Sequence, residues 1–209
     1  MKKIGEGWYY DVFDLEDNRV QKKRKTFKSI ASKFSKGYII STFLSWFSGY
    51  NYAVRCAWTT GRMKERIKNS DELKKLLGNP VFIGDVDYEQ DKVDIVISVL
   101  SNSIEENKII IDKYILNIID CWKNGFADQI FNFTINNGIN EWGEIILIDF
   151  NEVTFSKQNV LRDVISKRWK KSWSLTHLDQ ESKRYYFEQM DLSITKESLD
   201  KYWRNFYSR

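Results

Sequence analysis

The sequence contains little proline, cysteine and histidine. It has one proline, Pro80, two cysteines and one histidine in 209 residues. The cysteines, Cys56 and Cys121, lie far apart, with neither a CxxC pattern nor a cluster of histidines beside them. This pattern indicates neither a disulfide framework nor a Cys/His metal cluster. Because the first residues, MKKIGEGWYY, also lack the apolar core of an export signal, we expect a reducing, cytoplasmic setting.

Long hydrophobic runs and a large net charge are missing as well. The most apolar segment, Tyr38 to Val54, is interrupted by serines, a glycine and an asparagine, whereas a bilayer-spanning helix requires about 20 mostly apolar residues. We interpret this segment as a buried or interfacial helix. The net charge of +4 gives a weak global field. The basic segment QKKRKTFK matches no recognised nucleic-acid module, so no specific nucleic-acid partner is predicted.

The first half of the sequence shows both strand and helix patterns. Apolar and polar residues alternate from Tyr9 to Lys23 around EDN, a turn signal, which predicts two antiparallel strands. A helical pattern begins at Phe27. A second helical region runs from about Tyr52 to Leu77, with a break near NSDE. There Ser70 is placed to cap a short helix that ends at Gly78.

The second half is mainly helical. The segments VFIGDV and KVDIVISVL predict a further hairpin with strands near 81 to 86 and 92 to 100. Apolar residues recur at helical spacing from Ile104 to Trp122 and again after Phe155, with a short β pair in the intervening segment. With 42% hydrophobic residues the chain can bury a sizeable core. The order of elements predicts an α+β fold.

Two segments resemble parts of the protein-kinase-like fold. IGEGWYYDVFDLEDNRVQKK is similar to the start of that fold, and NNGINEWGEIILIDFNE is similar to its catalytic centre. The nearest resemblance is to small atypical bacterial kinases, the aminoglycoside phosphotransferases and the YrbL family. It implies two lobes. Residues 1–100 would form an N-lobe with a small antiparallel sheet and a helical insert at about 26–54. Residues 101–209 would form a mainly helical C-lobe with a catalytic-loop-like segment at 128–152.

The glycine-rich turn of kinases has a partial match near the N-terminus. Gly5 and Gly7 match the first two glycines, and Val12 matches the valine that follows. Tyr10 stands where the third glycine is expected. Backbone amides approach phosphate oxygens where side chains are absent, so the resemblance implies phosphate contact by this turn.

The resemblance also assigns residues to ATP binding. Val20 and Lys22 are two residues apart and share one face of a strand. They would form an apolar wall for adenine and an ammonium for the phosphates. Lys23, which would face the opposite way, is the alternative to Lys22. Glu65 on the following helix would orient that lysine, with Glu72 as its alternative.

A metal site is implied by the second segment. Asn137 lies twelve residues before Asp149, with Gly143 in the turn of a short β pair. In the family an asparagine and an aspartate at this separation hold Mg²⁺, which prefers oxygen ligands. Asn136 is the alternative to Asn137.

The catalytic position departs from the family. Asn132 stands five residues before Asn137, where the family has its catalytic aspartate, and an asparagine cannot accept the substrate proton as a carboxylate does. Asp128 is the nearest carboxylate and the alternative base. Asn151 replaces the glycine of the DFG motif in DFNE, and asparagine tolerates left-handed backbone.

Two functional hypotheses follow from the resemblance. The first is a protein that binds ATP and Mg²⁺ and transfers phosphate to a small molecule or a protein. The second is a pseudokinase, catalytically weak or inactive, that serves as a regulatory binding module. In the second hypothesis the basic, aromatic insert from Thr26 to Val54 offers a surface for a protein partner or for peripheral contact with an anionic membrane.

Overall fold

The protein has an α+β fold with a small antiparallel sheet in its N-terminal part and a mainly helical remainder. The computed structural model describes residues 1–35, 42–101, 103–129 and 131–205. Two compact units are present, the first comprising Met1–Lys74 and Gly78–Lys92, the second Lys75–Leu77 and Val93–Arg209. The division in this part of the chain lies at Lys92, slightly before the lobe boundary expected after residue 100.

The first unit contains a five-stranded antiparallel sheet. Its strands are β1 (Lys2–Glu6), β2 (Tyr10–Asp14), β3 (Arg19–Arg24), β4 (Val81–Phe82) and β5 (Tyr88–Asp91), in the order β1-β2-β3-β5-β4. The pairing of β2 with β3 confirms the hairpin predicted around EDN. Its turn uses positive φ at Glu16 and Asn18, and Asp14 Oδ1 accepts the Glu16 N–H at 3.1 Å. Strand β1 extends this hairpin and was not predicted.

Three helices complete the first unit: α1 (Phe27–Ser35), α2 (Thr42–Ile67) and α3 (Asp71–Leu76). The break predicted near NSDE is confirmed, because Ser70 Oγ accepts the Leu73 N–H at 3.1 Å and caps α3. Gly78 follows with φ 67, as a helix C-terminal glycine does. Helix α2 begins well before the predicted start near Tyr52. Of the segment interpreted as an interfacial helix, residues 38–41 lie outside the described residues. No helix in the described part of the chain is long and apolar enough to cross a bilayer.

The hairpin predicted for 81–86 and 92–100 is wrong. The second strand is instead YEQD itself, because Tyr88 and Gln90 alternate into the interior of the first unit and β5 pairs with both β3 and β4. Val96 to Val99 form one helical turn, in which the Leu100 N–H bonds to the Val96 carbonyl. Burial of Val96 in the second core outweighs the strand propensity of this β-branched segment.

The second unit is built on α5 (Ile104–Lys123), which confirms the helix predicted from Ile104 to Trp122. The other helices are α4 (Val96–Val99), α6 (Lys157–Ile165), α7 (Gln180–Ser193) and α8 (Lys196–Tyr202), with 3₁₀ turns at Arg168–Lys171 and Trp173–His177. The N-termini of α5, α6, α7 and α8 are capped by Ser103, Ser156, Asp179 and Thr195. Their apolar faces enclose one core that includes Trp122, Trp169 and Tyr186.

Short strands in the second unit hold the segment that contains most candidate residues. They are β6 (Asp94–Ile95), β7 (Ala127–Asp128), β8 (Asn137–Ile139), β9 (Ile145–Leu147) and β10 (Val153–Thr154). The sheet order is β6-β8-β9, and β7 pairs separately with β10. The β8–β9 pair with Gly143 at φ +74 in its turn confirms the predicted β pair. At Gly138 a Cβ atom would lie 2.3 Å from Val93 Cγ2, so the close approach of β6 and β8 requires glycine.

Candidate functional site

The glycine turn joins β1 to β2 in the first unit. Gly5 pairs with Val12 across a bulge in the β1–β2 ladder, and the Gly7 N–H donates to the Tyr10 carbonyl at 2.8 Å. Tyr10 does not extend over this turn. Its side chain is buried, and its hydroxyl donates to the Val86 carbonyl at 2.8 Å. The residue that replaces the third glycine is therefore part of the core of this unit.

A lysine that was not predicted holds this turn in place. Lys25 is buried, and its Nζ donates to the Gly7 carbonyl at 2.8 Å and to Glu6 Oε1 at 2.9 Å. These charge-assisted bonds fix the conformation of the turn backbone. Lys25 lies just beyond the end of β3, so strand alternation carries no signal for its inward orientation.

Strand β3 places Val20 and Lys22 on one buried face, whereas Lys23 is exposed. Lys22 pairs with Val12 on β2 and with Tyr88 on β5, so these three residues form a row across the sheet. The Lys22 ammonium lies 5.7 Å from the centroid of the Tyr88 ring, within cation–π range. Of the two candidate lysines, Lys22 is therefore the buried one and Lys23 the exposed one.

The structure does not bring Glu65 to Lys22 in the described part of the first unit. Glu65 lies on the exposed face of α2, and its carboxylate is 2.8 Å from Lys68 Nζ. The buried face of this helix carries Met63 and Ile67, on the other side of the helix from Glu65. Glu72, in the first turn of α3, is also exposed.

In the second unit the β8–β9 hairpin sets the positions of the metal-site candidates. Asn137 is directly opposite Leu147. Pairing continues one step further, because the Ile148 N–H donates to the Asn136 carbonyl at 2.9 Å. Asp149 follows immediately. The first residue of β8 and the carboxylate after β9 therefore lie at the same end of the hairpin.

The Asn137 side chain is buried, and only its amide nitrogen forms hydrogen bonds among the described residues. Its Nδ2 donates to the Phe133 carbonyl at 3.2 Å and to the Asn132 carbonyl at 3.4 Å. Its Oδ1 is buried and has no hydrogen-bond donor among the described residues. The corresponding oxygen of Asn136 accepts from Asn132 Nδ2 at 3.3 Å. Of these two amide oxygens, that of Asn136 is hydrogen-bonded, whereas that of Asn137 has no donor among the described residues.

Asn132 organises the loop that precedes β8. Its carbonyl accepts the Asn136 N–H at 2.9 Å, and its own N–H donates to Asp128 Oδ2 at 3.2 Å. The side chain is buried against Asn136. The residue at the expected catalytic position therefore has a structural hydrogen-bonding role in this conformation.

Backbone strain in this region lies at Phe131. In the described part of the chain, positive φ outside glycine occurs at Glu16, Asn18, Asn79, Phe131 and Lys167. Asn151, considered above for a left-handed turn, is not one of them. Phe131, directly before Asn132, has φ 47. Its buried ring packs on Trp169, with the two ring centroids 5.7 Å apart. Packing thus holds the loop in a conformation that costs free energy, as is common near functional sites.

Asp128 is placed at the end of β7, opposite Val153. With Tyr114, Cys121 and Asn137 it lines a small internal cavity of the second unit. The cavity offers about 10 Å³ to the centre of a water molecule, room for about one water and too little for a substrate. Burial raises the pKa of the Cys121 thiol, and the negative charge of Asp128 raises it by a smaller amount. Cys121 is therefore a poor nucleophile, and Asp128 borders the interior of this unit.

The oxygens of Asn137 and Asp149 fit a magnesium site only if a nucleotide supplies further ligands to the metal. No group of three or more His, Cys, Asp or Glu side chains is placed to hold a metal among the described residues. Asn137 Oδ1 is a buried oxygen that lacks a donor within the described ranges, and Asp149 supplies a carboxylate at the same end of the hairpin. Mg²⁺ commonly takes one or two protein oxygens and completes its octahedron with phosphates and water.

No protein-family model matches the chain, and no curated protein sequence matches it.

Proposed function

We propose that the chain is a kinase-like protein that binds ATP together with Mg²⁺. The first unit supports this with a glycine turn that joins its first two strands and a buried lysine on the third, as kinases have. The second unit supports it with an asparagine at the start of a hairpin and an aspartate just after it. The observation that carries the proposal is the buried Oδ1 of Asn137, which lacks a donor among the described residues.

In this proposal the first unit binds the organic and phosphate parts of ATP. Val20 supplies the apolar surface for adenine, and Lys22 contacts the phosphates. The amides of the turn around Gly5 and Gly7 provide further donors. Lys25 acts by holding that turn, since it already donates to the Gly7 carbonyl at 2.8 Å.

The second unit would hold the metal through Asn137 Oδ1 and the Asp149 carboxylate. When bound, Mg²⁺ neutralises negative charge on the phosphates and orients them. The two bonds donated by Asn137 Nδ2 fix the orientation of its amide and leave its oxygen without a bond among the described residues. Such preorganisation lowers the cost of ordering the site on binding.

Isothermal titration with ATP in the presence of Mg²⁺ tests the proposal, with Asp149→Asn compared to Glu141→Gln. Glu141 is an exposed carboxylate in the turn of the same hairpin, so it controls for a general change of charge. We expect Asp149→Asn to weaken binding by about 10- to 100-fold, as loss of a charged contact does, and Glu141→Gln to bind like the wild type. Equal affinity of Asp149→Asn and wild type would contradict the metal assignment.

A catalytically weak pseudokinase is the second candidate function, and Asn132 favours it. This residue lacks a carboxylate, and its amide is bonded to Asn136. Phosphoryl transfer depends mainly on positioning and electrostatics, so a slow residual turnover is compatible with the first proposal. Under the pseudokinase proposal, ATP binds without turnover.

Sensitive assays of ATP hydrolysis distinguish these two functions. Turnover that disappears in Asp149→Asn and persists in Lys28→Ala would support an enzyme. Restoring a carboxylate with Asn132→Asp provides a second arm, because a positioned base contributes about 10²- to 10⁴-fold. A rate that rises in Asn132→Asp from an undetectable wild-type level would support the pseudokinase assignment.

A further inference from the structure

An aromatic stripe runs along the exposed face of helix α2. Phe47, Tyr50, Val54 and Trp58 are spaced by three, four and four residues and are all exposed. At 100° per residue this spacing places them on one side of the helix over about 16 Å. Phe27 of α1 extends the stripe, because its ring packs edge to face on Tyr50 at 5.7 Å.

The segment that carries this stripe is strongly basic. From Asn18 to Lys64 the chain contains eleven Lys and Arg residues and no Asp or Glu, although the whole protein has a net charge of only +4. Arg55 and Arg62 flank the stripe on α2, and Lys28 lies exposed on α1. The Arg62 guanidinium lies 4.7 Å from the Trp58 ring centroid, and that of Arg55 lies 5.8 Å from Tyr52. Positive charge therefore borders the exposed rings directly.

This combination fits a lipid surface better than a nucleic acid. Interfacial helices present large apolar and aromatic side chains on one face with Lys and Arg beside them. Tyr and Trp favour the headgroup level, where one part of the ring is in an apolar environment and another is hydrated. A single-stranded nucleic acid would need free ring faces for base stacking. Arg62 already covers a face of Trp58, and Val54 in the middle of the stripe offers no stacking surface.

We propose that the stripe formed by Phe47, Tyr50, Val54 and Trp58 docks on an anionic lipid bilayer surface. The side chains enter the headgroup region, and Lys28, Arg55 and Arg62 contact lipid phosphates. This inference does not depend on nucleotide binding, since none of these residues is assigned to the ATP site.

Vesicle co-sedimentation of the full chain tests the docking proposal. The wild type is mixed with vesicles of phosphatidylcholine alone or with an equal part of phosphatidylglycerol, at low and at high salt. We expect binding to the anionic vesicles, weakening with salt because surface charge is screened. Binding should fall about tenfold or more in Trp58→Ser, which removes a large inserting ring, and about fivefold in Arg62→Gln.

Matched control variants distinguish insertion of the α2 stripe from non-specific binding to vesicles. Trp142→Ser removes a tryptophan that is 71% exposed, compared with 56% for Trp58, but lies in the hairpin turn of the second unit. It should bind vesicles like the wild type. Arg184→Gln is the corresponding control for charge on an exposed part of α7. Circular dichroism of each variant confirms that it is folded.

Three results would overturn the proposal. One is the absence of binding to anionic vesicles at low salt. Another is an equal loss in Trp58→Ser and Trp142→Ser. The third is a single-stranded oligonucleotide that binds the wild type more tightly than the vesicles do and loses that affinity in Trp58→Ser, which would assign the stripe to nucleic acid instead.

Discussion

The sheet of the first unit and the hairpin of the second present their candidate residues in different ways. Lys22 lies in a regular ladder, with Val12 on one neighbouring strand and Tyr88 on the other. Asn137 follows an irregular loop in which Phe131 has a left-handed backbone. Because side chains alternate between the two faces of a regular strand, the position of Lys22 on β3 is enough to explain its inward orientation. A buried amide oxygen without a donor among the described residues, such as that of Asn137, costs free energy, and a bound ligand would supply the missing partner.

The largest effect on ATP binding in the first unit is expected at Lys22. Lys22→Met removes the ammonium but keeps most of the apolar stem, and we expect ATP affinity to fall about 10- to 100-fold. Lys23→Met, one residue further and exposed, should change it little. Titration calorimetry measures both. Equal losses in the two variants would show that the run of lysines acts only by its total charge.

A comparison of glycines tests how tightly the second unit packs its hairpin. Gly138→Ala should destabilise the protein by about 1–3 kcal/mol, because its Cβ would lie 2.3 Å from Val93 Cγ2. In the first unit, a Cβ at Gly61 meets no atom within 4 Å. Gly61→Ala within α2 should therefore stabilise by about 0.5–1 kcal/mol. Urea unfolding measures both, and restoration of stability in Gly138→Ala by Val93→Ala would locate the clash.

Helix caps in the two units should differ in pH dependence. Hydrogen bonds from Ser182 lower the pKa of Asp179, the N-cap of α7. Its contribution is therefore present above the unfolded-state pKa, near 3.8, and is lost as pH falls through the lower folded value. Asp179→Ala should cost about 1 kcal/mol at neutral pH and progressively less in acid. Ser70→Ala at α3 should cost a similar amount at every pH, and parallel pH profiles would contradict this.

The smallest effect on stability is expected from removal of the Tyr186 hydroxyl. Tyr186 Oη is fully buried, and no atom of the described residues is in good hydrogen-bond geometry with it, although the Tyr114 hydroxyl is near enough to influence its pKa. Tyr186→Phe should change stability by less than about 1 kcal/mol, with a gain rather than a loss, because the mutation removes an unsatisfied polar group. Thermal unfolding checks this. A large loss would mean that buried polar atoms in this unit are satisfied in solution, and would weaken the same argument for Asn137.

Alternation and turn chemistry made much of the fold predictable from sequence. The EDN hairpin, the Ser70 cap and Gly78 all depend on local signals, and the structure has each of them. The hairpin expected at 81–100 was wrong because burial of Tyr88 and Gln90 decides that region. Such burial depends on residues distant in sequence, which single-sequence patterns do not contain.

The arrangement of the candidate site residues was harder to predict from sequence than the fold. Alternation on β3 was enough to predict that Lys22 and Lys23 face opposite ways, and the structure buries Lys22 and exposes Lys23. The choice of Asn137 or Asn136 depends on which amide oxygen is already bonded, and that follows from the folded loop. Glu65 was expected to reach Lys22, but the rotation of α2 places it at the surface beside Lys68. Lys25 was missed because its position beyond β3 follows no strand period.

The magnesium dependence of ATP affinity in Asn137→Ala tests whether Asn137 helps to hold Mg²⁺ beside the nucleotide. ATP is titrated into wild type and variant with Mg²⁺ present and with Mg²⁺ removed by a chelator, and thermal unfolding confirms that both are folded. We expect Mg²⁺ to strengthen ATP binding in the wild type and most of this gain to be lost in Asn137→Ala. The same gain in both proteins, or no binding of ATP by the folded wild type, would contradict it.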